Sequence, residues 1–166
     1  MSKLVLKAGT AAAILALLPT FALAATATGQ FGVSATVNKN CTVTTTNALT
    51  FAAYTPDNTN PQDSTSTVGV KCTNTTPFEI GLNEGGTSGA TTTTRIMTSG
   101  SNKLNYQLFS DAGRSSNWGN TTGSTVGDSG KGYSTEIVKT IYGRIPYQPD
   151  AVPGSYNDTV TITVTY

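Results

Sequence analysis

The chain has 166 residues, enough for one domain with a sizeable core, and only 11% of them are charged. Its formal net charge of +1 leaves no basic footprint for nucleic acid or for an anionic membrane. Histidine is absent and cysteine occurs twice, which excludes the usual neutral-pH general base, the Ser-His and Cys-His nucleophile pairs and a structural zinc cluster, so no cofactor is expected.

The first residues read as an export segment. Lys3 and Lys7 give a basic start, Ala8 to Leu18 is an apolar run, Pro19 follows, and Ala22-Leu23-Ala24 is a small-x-small cleavage pattern. Residues 1–24 are therefore expected to be a signal peptide, cut between Ala24 and Ala25. The alternative is a membrane anchor, for which the run is short. Removing Lys3 and Lys7 lowers Lys+Arg from 10 to 8 against 9 Asp+Glu, a net of −1.

Residues 25–37 alternate strictly. Ala25, Ala27, Gly29, Phe31, Val33, Ala35 and Val37 fall on one face, and Thr26, Thr28, Gln30, Gly32, Ser34 and Thr36 on the other. Side chains alternate across a β-strand, so the pattern predicts a strand with one dry face. No hairpin partner follows it. Either it is an ordinary first strand of its own domain, or it pairs with another copy of the chain.

Short strands are expected around Cys41 and Val43, and around Leu49 and Phe51. A loop over Tyr54–Ser64 is expected next, with Pro56, Asp57, Asn58, Asn60 and Pro61 as breakers. Val68, Val70 and Cys72 predict a strand with even positions inward, and Phe78, Ile80 and Leu82 the strand after the Asn74–Pro77 turn. Cys41 and Cys72, an even pair in an exported chain, predict a disulfide between the first strand and the one holding Val68 and Val70. Residues 83–94 are a Gly/Ser/Thr loop without a phosphate-loop pattern.

Arg95-Ile96-Met97 predicts a short edge strand, and Leu104, Tyr106 and Leu108 a clear one. Residues 111–131 read as a long Gly/Ser/Asn-rich connection containing Trp118. Ile137, Ile141 and Ile145 continue one inward phase that also holds Gly143. The end of the chain has the cleanest alternation: Val160, Ile162, Val164 and Tyr166 face one way, and Thr159, Thr161, Thr163 and Thr165 the other. Many short strands with turn signals between them predict an all-β sandwich. Nothing follows the last strand to cover its edge. An uncovered edge is an aggregation hazard, so the strand over 25–37 of one copy is expected to cover it in the next, a head-to-tail contact that propagates as a fibre.

Here the chain resembles a known family, the spore coat protein U domain, and within it the major pilins of archaic (Csu-type) chaperone–usher pili. The resemblance rests on an ordered set across residues 25–166: the Gly29-Gln30-Phe31 strand before Cys41-Thr42-Val43, Leu49-Thr50-Phe51 with Tyr54, and Val68-Gly69-Val70-Lys71-Cys72 with Gly81-Leu82. Arg95-Ile96-Met97, Leu104-Asn105-Tyr106-Gln107-Leu108 with Asp111, and Trp118-Gly119 follow. Tyr142-Gly143-Arg144-Ile145 and Gly154-Ser155-Tyr156-Asn157-Asp158-Thr159-Val160 complete it, together with the terminal Tyr166.

The resemblance implies an incomplete immunoglobulin-like β-sandwich over residues 38–166 that lacks its last strand. That strand is lent first by a periplasmic chaperone and then, at an outer-membrane usher, by the donor strand 25–37 of the next subunit. It implies a structural shaft subunit in a surface pilus serving attachment and biofilm growth, with other copies, minor pilins and a tip adhesin as partners, and with the terminal carboxylate of Tyr166 held by the chaperone. The expected donor anchors are Phe31 and Val33, with Ala27, Gly29, Ala35 and Val37 in lesser roles. The expected acceptor edge holds Val160, Ile162, Val164 and Tyr166.

Two other readings remain. A secreted sandwich that binds a carbohydrate or a surface would use Trp118, Tyr133 and Asn120 for stacking and hydrogen bonding, with core packing as the alternative for Trp118. A glycosidase-like carboxylate pair would draw on Asp111, Asp128 and Glu136, though these acids show no spacing signal. Asn74-Thr75-Thr76 matches a glycosylation pattern that carries little weight in a Thr-rich chain.

Overall fold

A computed structural model describes residues 24–57 and 59–166. The expected export segment, apart from Ala24, lies outside them. Among the described residues no helix is long and apolar enough to cross a membrane. The chain divides into one unit ending at Ala35 and a second from Thr36 to Tyr166.

In the second unit all regular structure is β. Eight strands form: β1 (Cys41–Thr46), β2 (Gln62–Cys72), β3 (Pro77–Leu82), β4 (Arg95–Ser99), β5 (Asn102–Phe109), β6 (Val126–Ser129), β7 (Ile137–Ile145) and β8 (Ile162–Thr165). They make a five-stranded sheet in the order β1-β2-β7-β5-β4 and a three-stranded sheet in the order β6-β3-β8. All ladders are antiparallel.

The period-2 patterns decide the inner faces. Val68, Val70 and Cys72 of β2, Phe78, Ile80 and Leu82 of β3, Leu104, Tyr106 and Leu108 of β5, and Ile137, Ile141 and Ile145 of β7 form one buried core. This is the expected two-layer, immunoglobulin-like sandwich. Cys41 and Cys72 are directly opposite in the β1–β2 ladder and are joined by a disulfide, as expected. Lys139 of β7 reaches across to Asp128 of β6 at 2.6 Å and ties the two sheets.

Four expectations are corrected. Leu49 and Phe51 form no strand: residues 47–55 carry no regular element, because the chain leaves the edge of β2 after Thr46. The loop expected up to Ser64 ends earlier, since β2 begins at Gln62 and pairs with Ile145 of β7. The connection over 111–131 contains β6, which pairs with β3 through Phe78↔Asp128 and Ile80↔Val126. The last strand is shorter than its alternation suggests. Only Ile162–Thr165 pairs with β3, which itself ends at Leu82. Upstream, Asn157 exchanges two backbone hydrogen bonds with Thr98 of β4, both at 3.0 Å. The final segment thus starts against one sheet and finishes in the other.

Candidate functional site

β1 ends one sheet and β8 ends the other, and the two run close together. At one end the gap is closed: the Tyr166 hydroxyl donates to Asn40 Oδ1 at 3.3 Å, beside the disulfide that begins β1. Away from that end the walls diverge into a cleft of about 460 Å³. Residues 46–51 form one wall and residues 156–160 with Ile162 the other. Leu82, Met97, Tyr106, Leu108 and Ile141 form an apolar floor.

The far wall is held firmly. Asp158 Oδ1 accepts the backbone N–H of Gly86 at 2.9 Å and that of Thr159 at 2.8 Å, while Oδ2 accepts the Tyr106 hydroxyl at 2.6 Å. Burial and the Asp158 carboxylate together push the Tyr106 phenol far above its ordinary value, so it stays a donor. Asn83 Oδ1 accepts the N–H groups of Gly85 and Thr161, and its own N–H donates to Thr161 O. Gly85 sits at φ +92°, and a Cβ there would lie 2.0 Å from Asp158 Oδ2, so the loop needs glycine for conformation and for space.

Behind this wall Arg95 is fully buried. Its guanidinium donates to the carbonyls of Leu82, Asn83, Thr92 and Trp118 at 2.7–2.9 Å. Burial draws its pKa below the ordinary arginine value, against the raising effect of Tyr106, Asp158 and Glu84. Neutral carbonyls satisfying a buried cation form a scaffold for the loop end of the sandwich, with no open face for a ligand.

The near wall is built differently. From Asn47 to Ala52 the chain lies across the inner face of β2 instead of along its edge. Ser66 Oγ donates to Asn47 O at 2.5 Å, Ser64 Oγ to Thr50 O at 2.6 Å, and Gln62 Nε2 to Ala52 O at 2.7 Å. Leu49 and Phe51 fill the hollow over Gly143, where a Cβ would lie 2.8 Å from both Leu49 methyls and 3.0 Å from Phe51 Cζ. A larger residue at 143 would evict them.

The expected site residues fall as follows. Val160 and Ile162 line the cleft. Val164 is half-buried against the core, and Tyr166 is half-exposed at the closed end. Residues 24–40 have no regular element, and Phe31, Val33 and Val37 are 83–88% exposed. A Cβ on Gly29 would meet nothing within 4 Å. The expected strand over 25–37 therefore has no ladder partner within the described chain.

The other candidates do not converge. Trp118 is fully buried with its indole N–H on Ile80 O at 2.8 Å, so it is a core residue and not a stacking platform; Tyr133 and Asn120 are exposed. Asp111 caps a turn by accepting the N–H groups of Ser116 and Ser115, which lower its pKa. Asp128 is taken by Lys139, and Glu136 accepts from Thr44. The three acids serve three separate local structures. Among the described residues no group of three His, Cys, Asp or Glu is placed to hold a metal.

The model of the Spore Coat Protein U domain matches residues 27–163. The chain belongs to the Spore Coat Protein U domain family. Protein U of Myxococcus xanthus is 32% identical over 170 residues, covering 94% of this chain and 93% of that protein. A solved structure similar to this spore coat protein U domain comes from the CsuC–CsuE chaperone–tip adhesion subunit pre-assembly complex of the archaic chaperone-usher Csu pili of Acinetobacter baumannii. The TM-score is 0.58 at 22% identity, over 79% of this chain. The domain spans 41% of that solved chain, and the likeness supports the shared sandwich fold.

Proposed function

We propose that this chain is a structural subunit of a chaperone–usher surface pilus, the major shaft pilin, which polymerises head-to-tail by donating residues 25–37 to the cleft of the next copy. The observation that carries this reading is the apolar-floored cleft between residues 46–51 and the Val160–Ile162 wall, in a chain whose residues 25–37 are apolar on one face and exposed. Strand addition supplies main-chain hydrogen bonds to both walls, while alternate side chains fill the floor. Phe31 and Val33 are the anchors, each contributing about 1.5–3 kcal/mol on burial. Ala27, Gly29, Ala35 and Val37 complete the dry face, and Val160, Ile162, Val164 and Tyr166 form the acceptor edge.

The pathway follows from the same chemistry. Export and cleavage between Ala24 and Ala25 free the donor. An unfilled cleft needs cover before assembly, which a periplasmic chaperone provides, with the Tyr166 carboxylate as one handle. An outer-membrane usher then exchanges chaperone for donor, and minor pilins and a tip adhesin complete a fibre for attachment and biofilm growth. Membership in the spore coat protein U family and the fold shared with a Csu pilus subunit support this reading.

The test is deletion of residues 25–37 in a strain carrying the neighbouring assembly genes. Electron microscopy should show fibres for the intact chain and none for the deletion, and electrophoresis without boiling should show a multimer ladder only for the intact chain. Fibres from the deleted chain would reject the proposal.

A further inference from the structure

β2 contradicts its own pattern. Its inward positions are apolar at Val68, Val70 and Cys72, all fully buried, but the same phase continues as Ser66, Ser64 and Gln62. Polar side chains on a core-facing phase need partners. Each of these three has one, and each partner is a carbonyl of the 47–52 segment. Ser66 is buried as well. Where a backbone ladder would hold the segment, side chains do so instead. One backbone bond, Asn47 N–H to Thr67 O at 3.2 Å, precedes them. Among the described residues, the N–H groups of Ala48 through Ala52 find no acceptor in the chain. The two cleft walls are therefore mounted unequally. The far wall is fixed by the β3 ladder, the Thr98–Asn157 pair and Asp158. The near wall is pinned at Asn47, whose backbone N–H and side-chain amide donate to Thr67 O and Oγ1, and beyond that point it hangs on three β2 side chains and on Leu49 and Phe51 seated over Gly143.

We infer that Ser64 and Ser66 are positioning residues of the acceptor cleft: their hydroxyls hold the 47–52 wall in place, so that a strand lying in the cleft is retained. Ser66 also lines the cleft, whereas Ser64 lies outside its lining and acts through the wall alone. The inference rests on the strand-donation reading and adds to it the part of the cleft that governs how long a donor stays. Loss of two hydroxyl–carbonyl bonds loosens the middle of the wall, between its attachments at Asn47 and Ala52. With each bond contributing a net free energy typical of a protein hydrogen bond, release of the donor should quicken roughly tenfold or more.

The experiment uses the purified full chain and a fluorescent synthetic peptide of residues 25–37. Peptide is loaded onto the wild-type chain, onto Ser64→Ala/Ser66→Ala and onto Ser64→Thr/Ser66→Thr, and its release into excess unlabelled peptide is timed. Trp118 fluorescence confirms that each chain is folded. The inference expects fast release from the alanine variant and near wild-type release from the threonine variant, which keeps both hydroxyls. Equal release from alanine and wild-type chains overturns it, as does a threonine variant as fast as alanine. A wild-type chain that captures no peptide overturns both the inference and the strand-donation reading beneath it. Capture with unchanged release overturns the inference alone.

Discussion

The Tyr106 hydroxyl donates to Asp158 Oδ2 at 2.6 Å, joining the cleft floor on β5 of the five-stranded sheet to the far wall, the segment that leads into β8. The same carboxylate holds Gly86 and Thr159, so one side chain fastens a strand, a loop and the segment that precedes β8. Tyr106→Phe removes the only part of this arrangement that spans the two sheets. A hydrogen bond to a charged acceptor contributes about 1.5–3 kcal/mol, and urea unfolding followed by Trp118 fluorescence should show a loss in that range. Tyr106 also lines the cleft floor, so fibre yield should fall with stability.

Gly85→Ala attacks the same carboxylate from the other side. A methyl group at φ +92° is strained, and its Cβ would lie 2.0 Å from Asp158 Oδ2. The loop must move and the Asp158 contacts with it. The expected destabilisation is about 1–3 kcal/mol, measured as a lower unfolding midpoint in urea. Gly89→Ala is the control: its φ is +84°, but no atom lies within 4 Å of the added Cβ, so only the conformational part of the loss should appear.

The Cys41–Cys72 bridge closes a sequence separation of 31 residues. On the chain-entropy account such a loop contributes roughly 3–4 kcal/mol. Cys41→Ser/Cys72→Ser should lower stability by about that amount and loosen β1 first, because β1 has no partner other than β2 in its sheet. Hydrogen exchange should report early opening of residues 41–46, with β5 and β7 protected. Uniform loss across the sandwich would contradict this account.

Acid should weaken the sandwich through the two carboxylates held by basic side chains, Asp63 and Asp128. The hydrogen bond from Arg144 holds the Asp63 carboxyl below its ordinary value, and the bond from Lys139 does the same for Asp128. A carboxylate whose pKa is lower folded than unfolded adds stability above the unfolded value, near pH 4, and loses it as pH falls through the folded value. Unfolding midpoints should therefore be flat with respect to these groups from pH 7 to about pH 5 and fall below about pH 4. Asp128→Asn should flatten that acid limb, and urea titrations at several pH values would read it.

Periodicity revealed most of the fold because Val68, Ile80, Leu108 and Ile141 are buried on faces that alternate with polar residues, and apolar alternation is what period-2 counting detects. The near wall of the cleft was hidden for the complementary reason. Ser64 and Ser66 are held inside by hydrogen bonds, so the inward phase of β2 carries no apolar signal before Val68, and its first part, up to Ser64, reads as loop. Arg95 lies in the short edge strand expected of it, but its full burial leaves no mark in the sequence, since the carbonyls that satisfy it include ones as distant as Trp118. β6 lies in a Gly- and Ser-rich stretch whose composition signals turns. It is a strand because Phe78 and Ile80 supply its partners. Trp118 was ambiguous by composition and is resolved by one bond, its indole N–H to Ile80 O. Val160 and Ile162, picked out by their alternation, line the cleft, whereas its floor of Met97, Tyr106 and Leu108 is assembled by topology from two other strands.

The place of the disulfide has a mechanical consequence. Cys41 is the first strand residue after the N-terminal segment, and its bond leads to Cys72 at the buried end of the longest strand. Tension applied through residues 25–40 meets the Asn40–Thr73 hydrogen bonds and then a covalent link, before it reaches the β1–β2 ladder beyond Cys41. β1 cannot be peeled from the sheet from that end, and the load passes directly to β2 and on to β7, which pairs with β2 from Gln62 to Val70. Under stretch from that end, the disulfide would act as a rivet, and β2 and β7 would carry the load before β1 could unravel.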